Sequence, residues 1–141
     1  MSARIDMDNQ QALQWQEFSL LWDSNNFRAA HDWLLSRWNQ ITKTCLMGQA
    51  DRDAQFLQGL AFAALALYFT QHANQEGALL MLDDAMVMLT KYVPSYQGVA
   101  VEPILESLAR LRPLLIGLDP AAACPLPPPI YSSFQFAQAV L

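Results

Sequence analysis

Apolar positions recur along this chain at helical spacing and nowhere at the two-residue spacing of a strand. No six-residue stretch alternates Val, Ile, Thr or aromatic side chains with polar ones, so the pattern predicts an all-α protein. Over 9–22, Leu13, Leu20 and Leu21 form one stripe and Trp15, Phe18 and Trp22 a neighbouring one. The segment Asp23, Ser24, Asn25, Asn26 ends that helix, because short polar side chains compete for backbone hydrogen bonds. One of the four is expected to cap the next helix. A second helix over 27–39 puts Phe27, Ala30, His31, Leu34, Leu35 and Trp38 on one face, with Arg28, Asp32, Ser36 and Asn39 opposite. Residues 40–50 show no clear period and read as a loop.

A third helix is expected from a cap at Asp51 or Asp53 to about residue 72. Its apolar run, 56–69, is interrupted only by Gln58 and Gly59 and is shorter than the roughly 20 residues that span a bilayer. A helix apolar on nearly all sides belongs in the middle of a bundle. Asn74 can cap a fourth helix, 75–91, with a core stripe of Ala78, Leu82, Ala85, Leu89 and Tyr92. The short turn before it predicts an antiparallel hairpin with the third helix. After a loop over 93–98, a fifth helix is expected near 103–115, with Pro103 in its first turn and Pro113 ending or bending it. Residues 1–118 therefore read as one compact bundle of about five helices with a central apolar helix. Residues 119–141 read as a Pro-rich, aromatic tail.

Composition narrows the functions that such a bundle could serve. Of 141 residues only 15% are charged, and 13 acidic against 8 basic residues give a net charge of −5. Nucleic acid is not expected as a partner, since phosphate contacts need clustered Lys and Arg. An anionic membrane surface would repel the chain for the same reason. Asp6 and Asp8 break any signal-peptide core, and Cys45 and Cys124 form no metal or disulfide pattern. Both are expected as free thiols in the cytoplasm.

So few charges suggest a covered surface, and a homo-oligomer is expected. Trp22 and Trp33 lie off the best core stripes and, with Tyr131, Phe134 and Phe136 of the tail, make the candidate interface. The tail has two readings. Pro125-Leu126-Pro127-Pro128 has the spacing that polyproline-binding partners accept. Alternatively, Ile130, Tyr131, Phe134 and Phe136 fold back over the bundle or a second subunit.

Candidate chemistry is sparse. No dinucleotide, P-loop, serine-hydrolase or zincin motif occurs, and His31 and His72 are the only histidines. The sequence predicts no cofactor and no metal, and leans away from an enzyme. His31 reads first as a core histidine bonded to a side chain such as Gln58, second as part of a ligand site. Leu35 occupies the position where a carboxylate would share its face, and Asp32 projects about 100° away. No carboxylate is expected to reach the imidazole. A buried Gln58 amide needs a polar partner, and Gly59 reads as a notch for a crossing helix. Asp83-Asp84 reads as a solvated face near Lys91, and His72 as a last-turn residue that suits the helix dipole.

Three stretches carry a family likeness. They are Phe27-Arg28-Ala29-Ala30-His31-Asp32 with Trp38 beyond it, Phe56-Leu57-Gln58-Gly59-Leu60, and Asn74-x-x-Gly77-Ala78-Leu79 leading to Tyr92-x-Pro94 and Gly98-Val99. In that order they resemble the small all-helical family catalogued as domain of unknown function 309, over about 18–115. The resemblance implies a compact helical bundle and no established activity. The chain departs from the family pattern at Asp32 (Glu in the family), Leu35 (Glu), Phe69 (often His) and Ala73 (Gly), which removes polar groups from the pocket face. Two functions follow as expectations. The first is a non-enzymatic protein-interaction or assembly module. The alternative is a small-molecule or metal-binding protein with a degenerate hydrolase-like site around His31, its pocket drawn from His31, Asp32, Trp38, Gln58, Gly59 and Tyr68.

Overall fold

A computed structural model describes residues 15–118 and residue 134. The chain forms α1 (residues 15–23), α2 (Phe27–Thr44), α3 (Arg52–Gln71), α4 (Gln75–Leu89) and α5 (Glu102–Ile116). One-turn 3₁₀ helices at Gly48–Ala50 and Thr90–Tyr92 and a small hairpin, β1 (Ser95–Tyr96) with β2 (Val99–Ala100), connect them. The all-α bundle is as the periodicity predicts. α3 is its middle, with α2 on one side and α4 on the other, and α5 lies against α4. Buried positions recur on every side of α3, among them Phe56, Leu60, Ala63, Ala64, Ala66 and Leu67. No helix among the described residues is long and apolar enough to cross a membrane.

The predicted caps of α3 and α4 hold. Asp51 Oδ2 accepts from the Asp53 and Ala54 amides at 2.9 and 3.0 Å, and Asn74 Oδ1 accepts from the Gly77 amide at 3.0 Å. Each satisfies N-terminal donors that the helix itself leaves unpaired. Between α3 and α4, Ala73 takes the left-handed conformation (φ 57°) that favours glycine. Its Cβ makes that turn costlier, by about 1–2 kcal/mol.

Four expectations need correction. α2 does not stop at 39 but runs to Thr44, because Ile41 packs on the core and the Thr44 hydroxyl bonds back to the Gln40 carbonyl at 2.8 Å. One apolar residue in that stretch was too little to show a period. Asn26 stands at the N-cap of α2, yet its side chain caps nothing; the Asn26 carbonyl takes the Ala30 amide instead. α5 passes through Pro113 to Ile116, since a proline in the last turn forfeits a single backbone bond. The hairpin was also unforeseen. Its two-residue strands fall below any alternation window, and Gln97 (φ 50°) and Gly98 (φ 80°) form the paired positive-φ turn that right-twisted strands favour.

The aromatic stripe of α1 faces inward: Trp15, Phe18 and Trp22 are buried, Leu21 packs partly buried on the core, and Leu20 is exposed. Phe134 closes over them, buried, with its ring centroid 5.8 Å from Trp15, 4.8 Å from Phe18 and 5.9 Å from Trp22. Its backbone N–H donates to Asp23 Oδ1 at 2.7 Å. One residue of the predicted tail therefore belongs to the bundle core. Tyr131, Phe136 and Cys124 lie outside the described residues.

A candidate ligand cleft between α2 and α3

α2 and α3 run antiparallel. The Gln71 amide reaches the Asn25 carbonyl at one end of the pair, and Arg37, Ile41, Asp53 and Leu57 line one small hollow toward the other. His31, Leu35 and Trp38, spaced to fall on one helical face, oppose Leu57, Gln58, Ala61 and Phe62 of α3. Between them lies a cleft of about 130 Å³. Its lining is almost wholly apolar, with His31, Gln58 and Trp38 as the residues that carry polar side-chain atoms. The Trp38 indole N–H is buried and has no acceptor among the described residues.

The imidazole of His31 is not isolated, as the sequence had suggested. Asp32 Oδ1 stands 3.1 Å from Nδ1, and the same oxygen lies 3.4 Å from Arg28 Nε. Adjacent helical residues diverge at Cβ, but Nδ1 is the ring nitrogen nearest the backbone, and at the exposed rim the carboxylate curls round to it. A carboxylate oxygen at that distance is an acceptor for Nδ1–H. Gln58 lines the cleft beside His31, but no hydrogen bond joins the two among the described residues. The expected His31–Gln58 pairing is therefore absent there.

Of the remaining predicted pocket residues, Gly59 and Tyr68 lie elsewhere. Gly59 faces α4: a Cβ there would stand 2.9 Å from Leu89 Cδ2 and 3.2 Å from Met88 Cβ. The Tyr68 ring lies tilted against His72, centroids 4.2 Å apart, and under the Arg28 guanidinium at 5.9 Å, toward the far end of the helix pair. His72 itself donates Nδ1–H to the Tyr68 carbonyl at 2.9 Å, a C-terminal capping bond. Asp83 does not face solvent alone but takes Arg112 Nε at 2.8 Å, tying α4 to α5. Among the described residues no group of three His, Cys, Asp or Glu side chains could hold a metal.

The proposed aromatic interface is also changed. Trp22 is buried with its ring 5.2 Å from Phe27, and Trp33 is half-buried against Trp15 and Phe18. With Phe134 inside, three of the five expected interface residues are packing partners of one another or of the core. Their helical stripe was misjudged because α1 approaches α2 through its aromatic face.

At the base of α3 the hairpin delivers a second polar group of residues. Tyr96 Oη donates to Asp53 Oδ1 at 2.5 Å and Gln97 Nε2 donates to the same oxygen at 2.6 Å. Tyr92 Oη donates to the Arg52 carbonyl at 2.9 Å. Burial first, and then the bond to Asp53, hold the Tyr96 phenol well above its ordinary value; burial also raises Tyr92. Unfolded phenols release their protons near pH 10 while the folded ones keep them. This contribution to stability is thus complete below pH 10 and is lost as pH climbs from there toward the folded values. Urea unfolding between about pH 8 and about pH 11 should show stability falling with pH, and more shallowly in Tyr96→Phe. Equal slopes would refute the assignment.

The chain matches no protein-family model, no curated protein and no solved structure. Sequence reasoning missed Arg37, Asp53, Phe62, Tyr96 and Gln97. Arg37, four residues after Trp33, had a legible signal, because that spacing lays a guanidinium over an indole. The hairpin residues had none.

Proposed function

We propose that this protein binds a compact, largely apolar small molecule in the α2/α3 cleft. The observation that carries this reading is Trp38, which lines this apolar cleft and whose indole N–H is buried with no acceptor among the described residues. Leaving such a donor unmet costs about 1–3 kcal/mol, which a ligand carbonyl or hydroxyl oxygen would recover. A hollow of about 130 Å³ approaches the roughly 150 Å³ that accommodates benzene in an engineered apolar cavity. The expected ligand is therefore one small ring or branched chain with a single acceptor toward Trp38. Gln58 and His31 also line the cleft and offer a second polar contact. The described residues that line the cleft carry no hydroxyl or thiol beside His31, and their walls suit binding. The resemblance to domain of unknown function 309 supports the same location, since its His-plus-acid pair falls on His31 and Asp32.

Benzaldehyde, with benzene as the apolar control, is the probe pair. Benzaldehyde should shift the Trp38 indole N–H resonance and bind wild type saturably. Trp38→Phe should weaken benzaldehyde about tenfold and leave benzene unchanged, as expected for one lost hydrogen bond. Ala61→Leu should abolish both by filling the hollow. Failure of both probes to bind wild type, or binding that survives Ala61→Leu, would overturn the proposal.

Self-association keeps support from a different observation. Leu80 and Val87 project from one face of α4 and are exposed, as are Leu114 and Ile116 on α5. A homodimer through these helices, with a reducing cytoplasmic setting that suits the exposed free thiol of Cys45, is the second reading. Light scattering at micromolar concentration decides it, a strict monomer being the adverse result.

A further inference from the structure

The core stripe of α4 is Ala78, Leu82, Ala85 and Leu89. At about 100° of rotation per residue, the opposite side of the helix carries Glu76, Leu80, Val87 and Lys91. All four are exposed, Leu80 by 60% and Val87 by 69%. α4 packs on α3 and α5, and neither covers this side. Glu76 and Lys91 enter none of the ion pairs among the described residues. Lys91 stands in the one-turn 3₁₀ helix Thr90–Tyr92, which continues α4 without a break, so the stripe is unbroken from end to end.

The order of the four residues is self-complementary. Leu80 lies as far before the midpoint of Asp83 and Asp84 as Val87 lies beyond it, and Glu76 as far before it as Lys91 beyond it. A two-fold axis through that midpoint lays the helix antiparallel on its copy, with residue i opposite j and j opposite i. Leu80 then meets Val87 of the second copy and Glu76 meets Lys91, each contact being made twice. A parallel pairing would instead set Glu76 against Glu76 and Lys91 against Lys91. Nearest the axis, Asp83 already holds Arg112 Nε at 2.8 Å. Asp84 of one copy therefore approaches a carboxylate that carries its own guanidinium, which offsets the repulsion between them.

We propose that the outward face of α4 is an antiparallel contact with a second copy of this chain, in the register that pairs Leu80 with Val87 and Glu76 with Lys91. The charge pattern selects this occupant. A helix of another protein would place no demand on the symmetry of the stripe, whereas self-pairing about a two-fold axis requires it. The proposal rests on the self-association reading above and adds to it the surface, the direction and the register.

Sedimentation velocity of the full chain across the micromolar range tests it. Wild type should be a reversible dimer. Leu80→Ser should raise the dissociation constant at least about tenfold, because the lost apolar contact occurs twice. Glu76→Lys and Lys91→Glu should each weaken self-association about tenfold, since each sets like charges together at two places. Mixed in equal amounts, these two variants should associate about as tightly as wild type, because every like pair becomes an opposite pair again. The double variant Glu76→Lys/Lys91→Glu should recover the homodimer for the same reason. Every substituted position is exposed, and circular dichroism checks that each variant keeps its helices. A wild-type monomer at all concentrations overturns this proposal and the self-association reading together. A wild-type dimer that Leu80→Ser leaves intact, or whose charge variants show no mutual rescue, overturns the α4 register alone.

Discussion

Phe134→Ala should cost about 3–5 kcal/mol of folding stability, although the residue lies far from the helices in sequence. Its ring is 5% exposed and lies in contact with Trp15, Phe18 and Trp22, so truncation opens a cavity bounded by three large aromatics. These rings also lose a packed neighbour worth about 0.5–1.5 kcal/mol per aromatic pair beyond burial. For a chain of 141 residues the loss corresponds to about 10 °C in unfolding temperature. Thermal unfolding followed by tryptophan fluorescence reads both effects, because α1 should become more solvent-exposed. Asp23→Ala, which removes the acceptor of the Phe134 amide, should give a smaller loss of about 1–3 kcal/mol. If Phe134→Ala changed stability by less than about 0.5 kcal/mol, as at an ordinary surface site, the docked position would be wrong.

The second large effect belongs to Gly59→Val. On helix propensity alone, replacing a mid-helix glycine should help by several tenths of a kcal/mol. Sterics decide otherwise. The first added carbon would stand 2.9 Å from Leu89 Cδ2, 3.1 Å from its Cγ and 3.2 Å from Met88 Cβ, and Leu89 is fully buried and cannot swing away. Overpacking of that kind costs about 1–3 kcal/mol, and the two γ-methyls of valine place the loss at the upper end. Denaturant unfolding should show a lower midpoint with an unchanged slope. Since Gly59 faces α4 and the cleft lies on the α2 side, a folded variant should still bind benzaldehyde if the proposed function holds. A Gly59→Val protein more stable than wild type would mean that α3 and α4 do not approach as described.

Legibility followed the range of the interaction. The caps at Asp51 and Asn74 were readable because a short polar side chain bonds to amides two or three residues ahead of it. The central place of α3 was readable because apolar residues on every side of a helix leave no face for water. The cleft was half readable. His31 and Trp38 share a helical face, and Gln58 interrupts an apolar run, so each stood out locally. Gly59 and Tyr68 were grouped with them by proximity in sequence, yet helical rotation sends one toward α4 and sets the other against His72. Asp32 was set aside on the average direction of adjacent side chains, whereas the nearer ring nitrogen of His31 lies within a carboxylate's reach.

The sequence by itself determined that this chain is helical, where most of its helices begin, and that the third is enclosed, since periodicity and capping are set within a few residues. Only the tertiary structure decided that the aromatic stripe of α1 turns inward, that Phe134 closes the core across 111 positions from Asp23, and which residues of α2 and α3 line the cleft between them. Those outcomes depend on the angle and rotation at which whole helices pack, and residues distant along the chain enter that balance together.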